Sequence, residues 1–357
     1  MKMKIKTLGI LGGGQLGRMS ALAAAHLGIN TIILCPEKGC PASLISTDFI
    51  CADYDDEQAL EQLAQKCDVI TYEFENIPLE TIEFLQSKTK VYPDHKLLEV
   101  SQNRLKEKKF LNDIGIETAP WVPCHSPEDI SKTLDEWQAS NCIIKTARFG
   151  YDGKGQLLHQ VTDNILDSWN KLKTDEAIIE GVIDFDYEIS VIVARDVDNR
   201  IATYPIGMNE HKNHILWKTT APANIDEKIQ SRSKLLAEKV AEAVSLVGVL
   251  TLELFVLKDG TVLANEIAPR THNSGHWTIE ACHASQFENH VRAVCGLPLG
   301  STDAFAKAEM INLIGDDVND IPKYLEQDNA HIHLYGKTEA REGRKMGHVT
   351  LIEPKDC

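Results

Sequence analysis

The sequence predicts a multidomain protein of mixed α/β and α+β class, with a parallel-sheet unit at its N-terminus followed by a longer antiparallel region. Three observations point there. A glycine-rich turn, Gly12-Gly13-Gly14-Gln15-Leu16-Gly17, lies between an apolar strand and a small-residue helix. Strand and helix patterns then alternate to about residue 93, as a parallel sheet requires. Beyond residue 120 the pattern changes to longer β-branched runs, one of which turns back through Asp259-Gly260, a dipeptide suited to a two-residue hairpin turn.

Bulk properties narrow the function. A chain of 357 residues can bury more than one core. Its net charge of -16 disfavours a nucleic-acid backbone or an anionic membrane as partner, so an anionic substrate has to be caught by local positive charge. No apolar run approaches the roughly 20 residues of a membrane span, and the basic start Met1 to Lys6 leads into glycines, so a cytoplasmic protein is expected. Nine cysteines without a C-x-x-C pair fit neither a disulfide framework nor a zinc site.

In order, Leu8 to Leu11 reads as a strand, Leu16 to Leu27 as a helix closed by Gly28, and Thr31 to Cys35 as a second strand. Asp55 to Lys66 has helical spacing and Asp68 to Phe74 reads as a buried strand. Residues 94 to 114 read as one bridging helix, with Leu97, Leu98, Leu105 and Phe110 on its apolar side. Strands are expected at 142–147, 177–183, 187–195 and 201–207, a long helix at 226–247, and short strands near 310, 333 and 349.

Two glycine loops and one hairpin carry the chemistry. The first loop satisfies G-x-G-x-x-G, with Glu37 at about the distance of a ribose-binding acid, so a nicotinamide dehydrogenase, a phosphate site and a purely structural turn all remain open. The second, Gly150-Tyr151-Asp152-Gly153-Lys154-Gly155-Gln156, follows a strand carrying Lys145, so a flexible loop and fixed cations can close over a triphosphate. A hairpin turn with solvated lysines is the plainer alternative. In the hairpin, a two-residue turn pairs Lys258 with Thr261 and places Glu253 opposite Glu266, while Leu252 faces Ile267 and Val256 faces Leu263 on the other side. Facing carboxylates repel unless a hard cation sits between them, and magnesium, which accepts one or two protein carboxylates plus substrate phosphates, suits the pair; a solvated acidic face is the alternative. The run Pro269-Arg270-Thr271-His272-Asn273-Ser274-Gly275-His276 can hold an anion, and Lys337, Arg341, Arg344 and Lys345 form a basic cluster read by default as solvated surface.

Together, Lys145, the 150–156 loop, Glu180-Gly181-Val182-Ile183, Glu188 and the Glu253/Glu266 pair resemble the ATP-grasp superfamily in order and spacing. Within it, Gly14-Gln15-Leu16-Gly17-Arg18-Met19, Thr71-Tyr72-Glu73-Phe74-Glu75-Asn76, the second glycine loop, Asn265-Glu266-Ile267-Ala268-Pro269-Arg270 and Gly343-Arg344-Lys345-Met346-Gly347-His348 resemble the 5-(carboxyamino)imidazole ribonucleotide synthases. The resemblance implies an ATP-grasp fold with a Rossmann-like pre-ATP-grasp domain (1–93), a bridging helix and linker (94–119), a small lid (120–185), a catalytic subdomain (186–300) and C-terminal strands packed on it (301–357). It implies ATP-dependent carboxylation of 5-aminoimidazole ribonucleotide by bicarbonate, with magnesium and without biotin, in a homodimer.

By the same resemblance, ATP meets Arg104, Lys145, Gly150, Tyr151, Asp152, Gly153, Lys154, Gly155, Gln156, Glu180, Gly181, Val182, Ile183, Glu188, His211, Asn265 and Glu266, with Glu253 and Glu266 on the metal. The ribonucleotide meets Gln15, Leu16, Glu73, Tyr151, Asp152, Arg270, His272, Lys337 and Arg344. Asp152 is the candidate for orienting or deprotonating the amine, Arg270 for stabilising the carboxyl group, and Lys145 for the transferring phosphoryl group. The chain departs from the family at Cys35-Pro36, at Phe149 where a second glycine often stands, and at Ala268 where the superfamily often has a metal-assisting Asn, which leaves a two-carboxylate site. A formate-using glycinamide ribonucleotide transformylase shares the lysine, loop and carboxylate pair, and a nucleotide sensor without turnover is a further alternative.

Overall fold

Continuous apolar runs make the first strands buried on both faces, and such strands pair in parallel with helices on either side. The computed structural model describes residues 5–150 and 153–354; Tyr151 and Asp152 lie outside them. β1 (Thr7–Leu11), β2 (Asn30–Leu34), β3 (Asp48–Ile50), β4 (Val69–Tyr72) and β5 (Lys90–Val91) form a parallel sheet in the order β3-β2-β1-β4-β5. Leu8, Ile10 and Ile33 pack beneath α1 (Gln15–His26), with Met19 and Ala24. Leu11, Ile32 and Leu34 point the other way, against Leu60 and Leu63 of α2 (Glu57–Lys66). The sequence reading missed β3, β5 and α3 (Leu79–Gln86): strands of three and two residues are too short to display a period.

The bridging helix expected at 94–114 is two helices, α4 (His95–Ser101) and α5 (Arg104–Asp113). Asn103 breaks it by taking extended backbone and accepting from the Leu105 and Lys106 N–H groups, a competent N-cap in mid-pattern. Gln102 reinforces the break by donating to the Glu75 and Ile77 carbonyls at 2.7 and 2.6 Å.

A four-stranded antiparallel sheet follows, made of β6 (Trp121–Cys124), β7 (Asn141–Thr146), β8 (Gln156–Gln160) and β9 (Ala177–Glu180) in the order β6-β9-β7-β8. α6 (Pro127–Trp137) and α7 (Ile165–Leu172) cover one face through Ile130, Leu134 and Leu172. The strand expected at 177–183 ends at Glu180, and β6, α6, β8 and α7 were not expected.

The remaining strands join one nine-stranded sheet. They are β10 (Phe185–Arg195), β11 (Ile201–Thr203), β12 (Gly207–Lys212), β13 (Ile215–Ala221), β14 (Gly248–Leu257), β15 (Val262–Ala268), β16 (Ala306–Ile314), β17 (Ala330–Leu334) and β18 (Lys345–Pro354). α8 (Glu227–Ala243), shorter than expected, lays Ala237, Val240 and Ala241 on Leu250, Leu252, Leu254 and Val256 of β14. The alternate residues of β14, Glu253 and Phe255, are left facing the opposite side. The C-terminal strands enter the same sheet because β16 pairs with β13, Thr219 opposite Met310. Short α9 (Thr278–Ala281) precedes α10 (Gln286–Val294), and α11 (Ile321–Leu325) precedes β17. No helix among the described residues is long and apolar enough to cross a membrane.

Buried His290 of α10 ties the parallel sheet to the large one: its Nδ1 accepts from the Val249 N–H at 3.2 Å, which leaves Nε2–H for the Thr71 hydroxyl at 2.8 Å. Burial pushes its pKa from 6.5 down to about 4. The unfolded chain takes up this proton first, so the stability His290 contributes is complete above pH 6.5 and is lost as pH falls toward 4. The stake is about 3 kcal/mol. We expect thermal melts to show this acid loss in the wild type and a shallower slope in His290→Gln; equal slopes would refute the assignment.

Candidate functional site

The face of the large sheet opposite α8, the parallel sheet's C-terminal edge and the small sheet enclose a cleft of about 940 Å³. At its floor is the β14–β15 hairpin. Its turn is one residue longer than the sequence predicts: Leu257 N–H donates to Thr261 O at 2.9 Å and Gly260 takes φ +83°, so Val256 faces Val262 and not Leu263. The register then shifts between Glu253 and Leu254, leaving Asn265 as the unpaired residue of a bulge. The bulge cancels the longer turn. Glu253 faces Glu266 and Leu252 faces Ile267, as expected, and both Asn265 and Glu266 line the cleft.

Each carboxylate of the pair has a cationic or potentially cationic partner. Glu266 takes Arg104 at 3.2 Å and Glu253 takes His272 Nε2 at 2.9 Å. The Ser274 N–H reaches His272 Nδ1 at 3.3 Å, which fixes the tautomer that points Nε2–H at Glu253. Burial opposes the Glu253 charge, yet His272, His211 and Arg270 hold its pKa well below the usual carboxylate range. Glu188 faces the same cleft and pairs with His211 Nδ1 at 2.7 Å; burial works against that imidazolium, and the Glu188 bond outweighs it and raises the pKa.

Lys145 projects from β7 onto Glu180, 2.5 Å away, and Lys108 approaches the other oxygen of Glu180 at 3.1 Å. All three side chains are nearly buried, and although burial opposes its charge, the two ammonium groups bring Glu180 down to about 2. Burial lowers the Lys145 pKa against the pull of Glu180. Between β7 and β8, Phe149, Gly150, Gly153 and Lys154 line the cleft. Gly153, at φ +76°, lies so close to His214 that an added Cβ would sit 2.5 Å from the His214 Cβ. Phe149 takes φ +62°, a left-handed conformation that costs a β-carbon-bearing residue roughly 1 kcal/mol.

The first glycine loop holds an anion of the chain's own. Glu73, at the end of β4, accepts from Gly14 N–H at 2.5 Å and Gly17 N–H at 2.8 Å, so its carboxylate occupies the N-terminus of α1 where a dinucleotide phosphate was one expectation. Burial raises the Glu73 pKa against those two bonds and the charges of Arg270 and Lys337. Two residues on, Glu75 takes Arg270 through Nε at 2.5 Å and through an Nη at 3.0 Å, a two-pronged pair. Arg270, expected to meet a substrate carboxyl group, is thus already committed in part. Lys337 donates to the Lys345 carbonyl at 2.7 Å, and burial together with Arg344 pushes its pKa down to about 8. The basic cluster read as solvated surface instead supplies Lys337, Arg341, Arg344 and Lys345 to the cleft wall.

Of the expected residues, Gln15, Leu16, Glu73, Arg104, Lys145, Gly150, Gly153, Lys154, Gln156, Glu188, His211, Glu253, Asn265, Glu266, Arg270, His272, Lys337 and Arg344 line this one cleft. Glu180 sits behind Lys145; Gly155 and Gly181 to Ile183 are absent from the lining, and Tyr151 and Asp152 are outside the described residues. Sequence reading missed Glu107 and Lys108, which the amphipathic pattern of α5 presents as surface charges, and the Phe185–Phe255 stack at 4.6 Å, whose signal was the alternation of Phe255 with Glu253. Among the described residues no cluster of three or more His, Cys, Asp or Glu is set to hold a metal, so the candidate donors remain the two carboxylates. The buried side-chain oxygen of Asn265, which has no hydrogen-bond partner, is a further hard donor beside them.

Comparison with known proteins places these features in one family. Residues 5–102 match the ribonucleotide synthetase preATP-grasp domain, 109–287 the ATP-grasp domain, and 308–356 the phosphoribosylaminoimidazole carboxylase C-terminal domain. The chain is 50% identical to the N5-carboxyaminoimidazole ribonucleotide synthase of Brucella melitensis, over 98% of this chain and 97% of that protein. It resembles the Staphylococcus aureus N5-carboxyaminoimidazole synthetase complexed with ADP at 38% identity and TM-score 0.94, covering 100% of this chain and 95% of that one. The Aspergillus clavatus synthase, solved with ADP and 5-aminoimidazole ribonucleotide, is 32% identical with TM-score 0.91, covering 98% and 94%.

The Glu73 contacts are testable by stability alone. Glu73→Ala leaves the Gly14 and Gly17 N–H groups without their acceptor, which is expected to cost about 1–3 kcal/mol. Chemical denaturation would measure it, and an unchanged midpoint would refute the role.

Proposed function

The chain belongs to the N5-carboxyaminoimidazole ribonucleotide synthase family of ATP-grasp ligases, and we propose that it carboxylates 5-aminoimidazole ribonucleotide with bicarbonate and ATP in de novo purine biosynthesis. The products are 5-(carboxyamino)imidazole ribonucleotide, ADP and phosphate. The observation that carries this reading is the Glu253/Glu266 pair on the cleft floor, with Lys145 and the second glycine loop beside it.

The family resemblance gives a division of labour, which the cleft lining supports for those of its residues that reach the cleft. Arg104, Lys145, the 150–156 loop, Glu180 to Ile183, Glu188, His211, Asn265 and Glu266 serve ATP. Gln15, Leu16, Glu73, Tyr151, Asp152, Arg270, His272, Lys337 and Arg344 serve the ribonucleotide. The two carboxylates and the adjacent Asn265 oxygen suit magnesium, which when bound offsets negative charge on phosphate oxygens. Arg104 and Lys145, each held by a carboxylate, present fixed charge to the phosphates without having to reorganise.

Bicarbonate is a poor electrophile, so phosphoryl transfer from ATP first activates it as carboxyphosphate. The amine then attacks the carbonyl carbon, or carbon dioxide released from it. In direct attack the C–N bond forms as the carbon–oxygen bond to phosphate breaks. With carbon dioxide that bond has already broken, and the amine adds across a C=O bond. In both, the amine proton leaves to a base, for which Asp152 is the candidate. The glycine loop, seated against His214, keeps water from the hydrolysable intermediate, and Arg270 faces the developing carboxylate. The part expected to close is the glycine loop, carried by the lid (120–185) over the catalytic subdomain (186–300). Family similarity further supports a cytoplasmic homodimer.

The deciding assay is ADP release with and without each substrate. Release requiring both bicarbonate and 5-aminoimidazole ribonucleotide is expected; release driven by formate and glycinamide ribonucleotide, or tight NADH binding at residues 12 to 17, would replace this reading. In the same assay Glu266→Gln is expected to abolish turnover through loss of the metal, and Lys145→Ala to raise the KM for ATP at least tenfold, about 1.4 kcal/mol. Wild-type kinetics in either variant would contradict its role.

A further inference from the structure

In the nine-stranded sheet β15 is an edge strand beside β14. Its outer side meets the chain at Thr118, where the Ala264 N–H donates to the Glu117 carbonyl at 2.8 Å, and from Asn265 onward no strand among the described residues continues that contact. Two side chains of α5 take that place. Glu107 accepts from the Ile267 N–H at 2.6 Å, and Lys108 donates to the Asn265 carbonyl at 2.8 Å. They bracket Glu266. Both are almost fully buried, at 2% and 1% exposure, where a polar side chain is costly unless it finds specific partners.

The alternative to the bulge shows what these bonds hold. If the pairing beyond Val256–Val262 continued without an extra residue, Glu253 would face Asn265, and Glu266 would turn toward the core formed by Leu252, Leu254 and Ile267. A bulge has no strong local preference for one site along a strand. It stays where its unpaired groups find partners.

We propose that Glu107 and Lys108 are positioning residues for the Glu253/Glu266 pair: by taking the Ile267 N–H and the Asn265 carbonyl, they hold the bulge that turns Glu266 into the cleft. Neither needs to touch substrate. The proposal rests on the reading that Glu253 and Glu266 bind magnesium, and it adds that α5, whose Glu107 also reaches the cleft wall, tunes that affinity through the backbone of the bulge. Removing support behind a metal ligand typically weakens metal binding tenfold to a hundredfold.

The test uses the full chain and no turnover: ADP binding by calorimetry across a Mg2+ series, read as the Mg2+ concentration at half-maximal binding. Glu266→Gln reports on the magnesium reading and is expected to abolish the Mg2+ dependence. Glu107→Met and Lys108→Met are each expected to raise the half-maximal Mg2+ about tenfold or more. Glu107→Gln, which keeps an acceptor for the Ile267 N–H, is expected to stay near wild type. Should Lys108→Met fail to fold because Glu180 loses an ion pair, Glu107→Met leaves that pair intact and carries the test. If Glu266→Gln loses the dependence while both Met variants keep the wild-type value, the positioning role is overturned and the magnesium reading stands. If Glu266→Gln itself keeps the wild-type dependence, the magnesium reading falls and the proposal falls with it.

Discussion

One extra residue in one strand governs the cleft. Asn265 bulges out of β15, and because side chains alternate with a period of two, that single insertion decides whether Glu266 faces the cleft or the core. The bulge in turn depends on α5, whose Arg104, Glu107 and Lys108 bond to Glu266, the Ile267 N–H and the Asn265 carbonyl respectively. α5 exists as a separate helix only because Asn103 caps it. Its break from α4 also lets Gln102 bond to the segment after Glu73 and to Arg148, just ahead of the second glycine loop.

The electrostatics follow from the same arrangement. A chain of net charge -16 gathers Arg104, Lys145, Arg270 and Lys337 into one cleft, where each is held by a carboxylate or a carbonyl. Buried cations without such partners would lose their charge or their position. Held in this way they stay charged, oriented and close enough together to meet an anion without reorganising. Glu73 shows the complementary device: an internal carboxylate fills the α1 N-terminus, so a motif associated with dinucleotides serves here to fasten β4 to the first loop.

Much of this was legible beforehand, though for uneven reasons. The facing of Glu253 and Glu266 was read correctly from a turn that proved one residue longer, since the bulge restored the register the shorter turn would have given. Val256 lies between turn and bulge, and there the expected partner was wrong. The second glycine loop and Lys145 were found because loop and strand adjoin in sequence. Glu107 and Lys108 were not, because their partners lie 160 and 157 residues away. The C-terminal basic cluster, diluted by acids in sequence, read by default as solvated surface, and only the resemblance gave Lys337 and Arg344 a substrate role; the β13–β16 pairing folds the cluster onto the cleft wall.

By itself the sequence determined the local chemistry: which strands are buried on both faces, where glycines permit positive φ, where a hairpin turns, and which residue types can hold phosphate and a hard cation. These follow from short-range sterics and periodicity, which a chain carries wherever it goes. Only the tertiary structure decided which charges are buried, which carboxylate answers which cation, and where the bulge sits. Those outcomes depend on desolvation and on partners brought together across more than a hundred residues, and no local pattern encodes them.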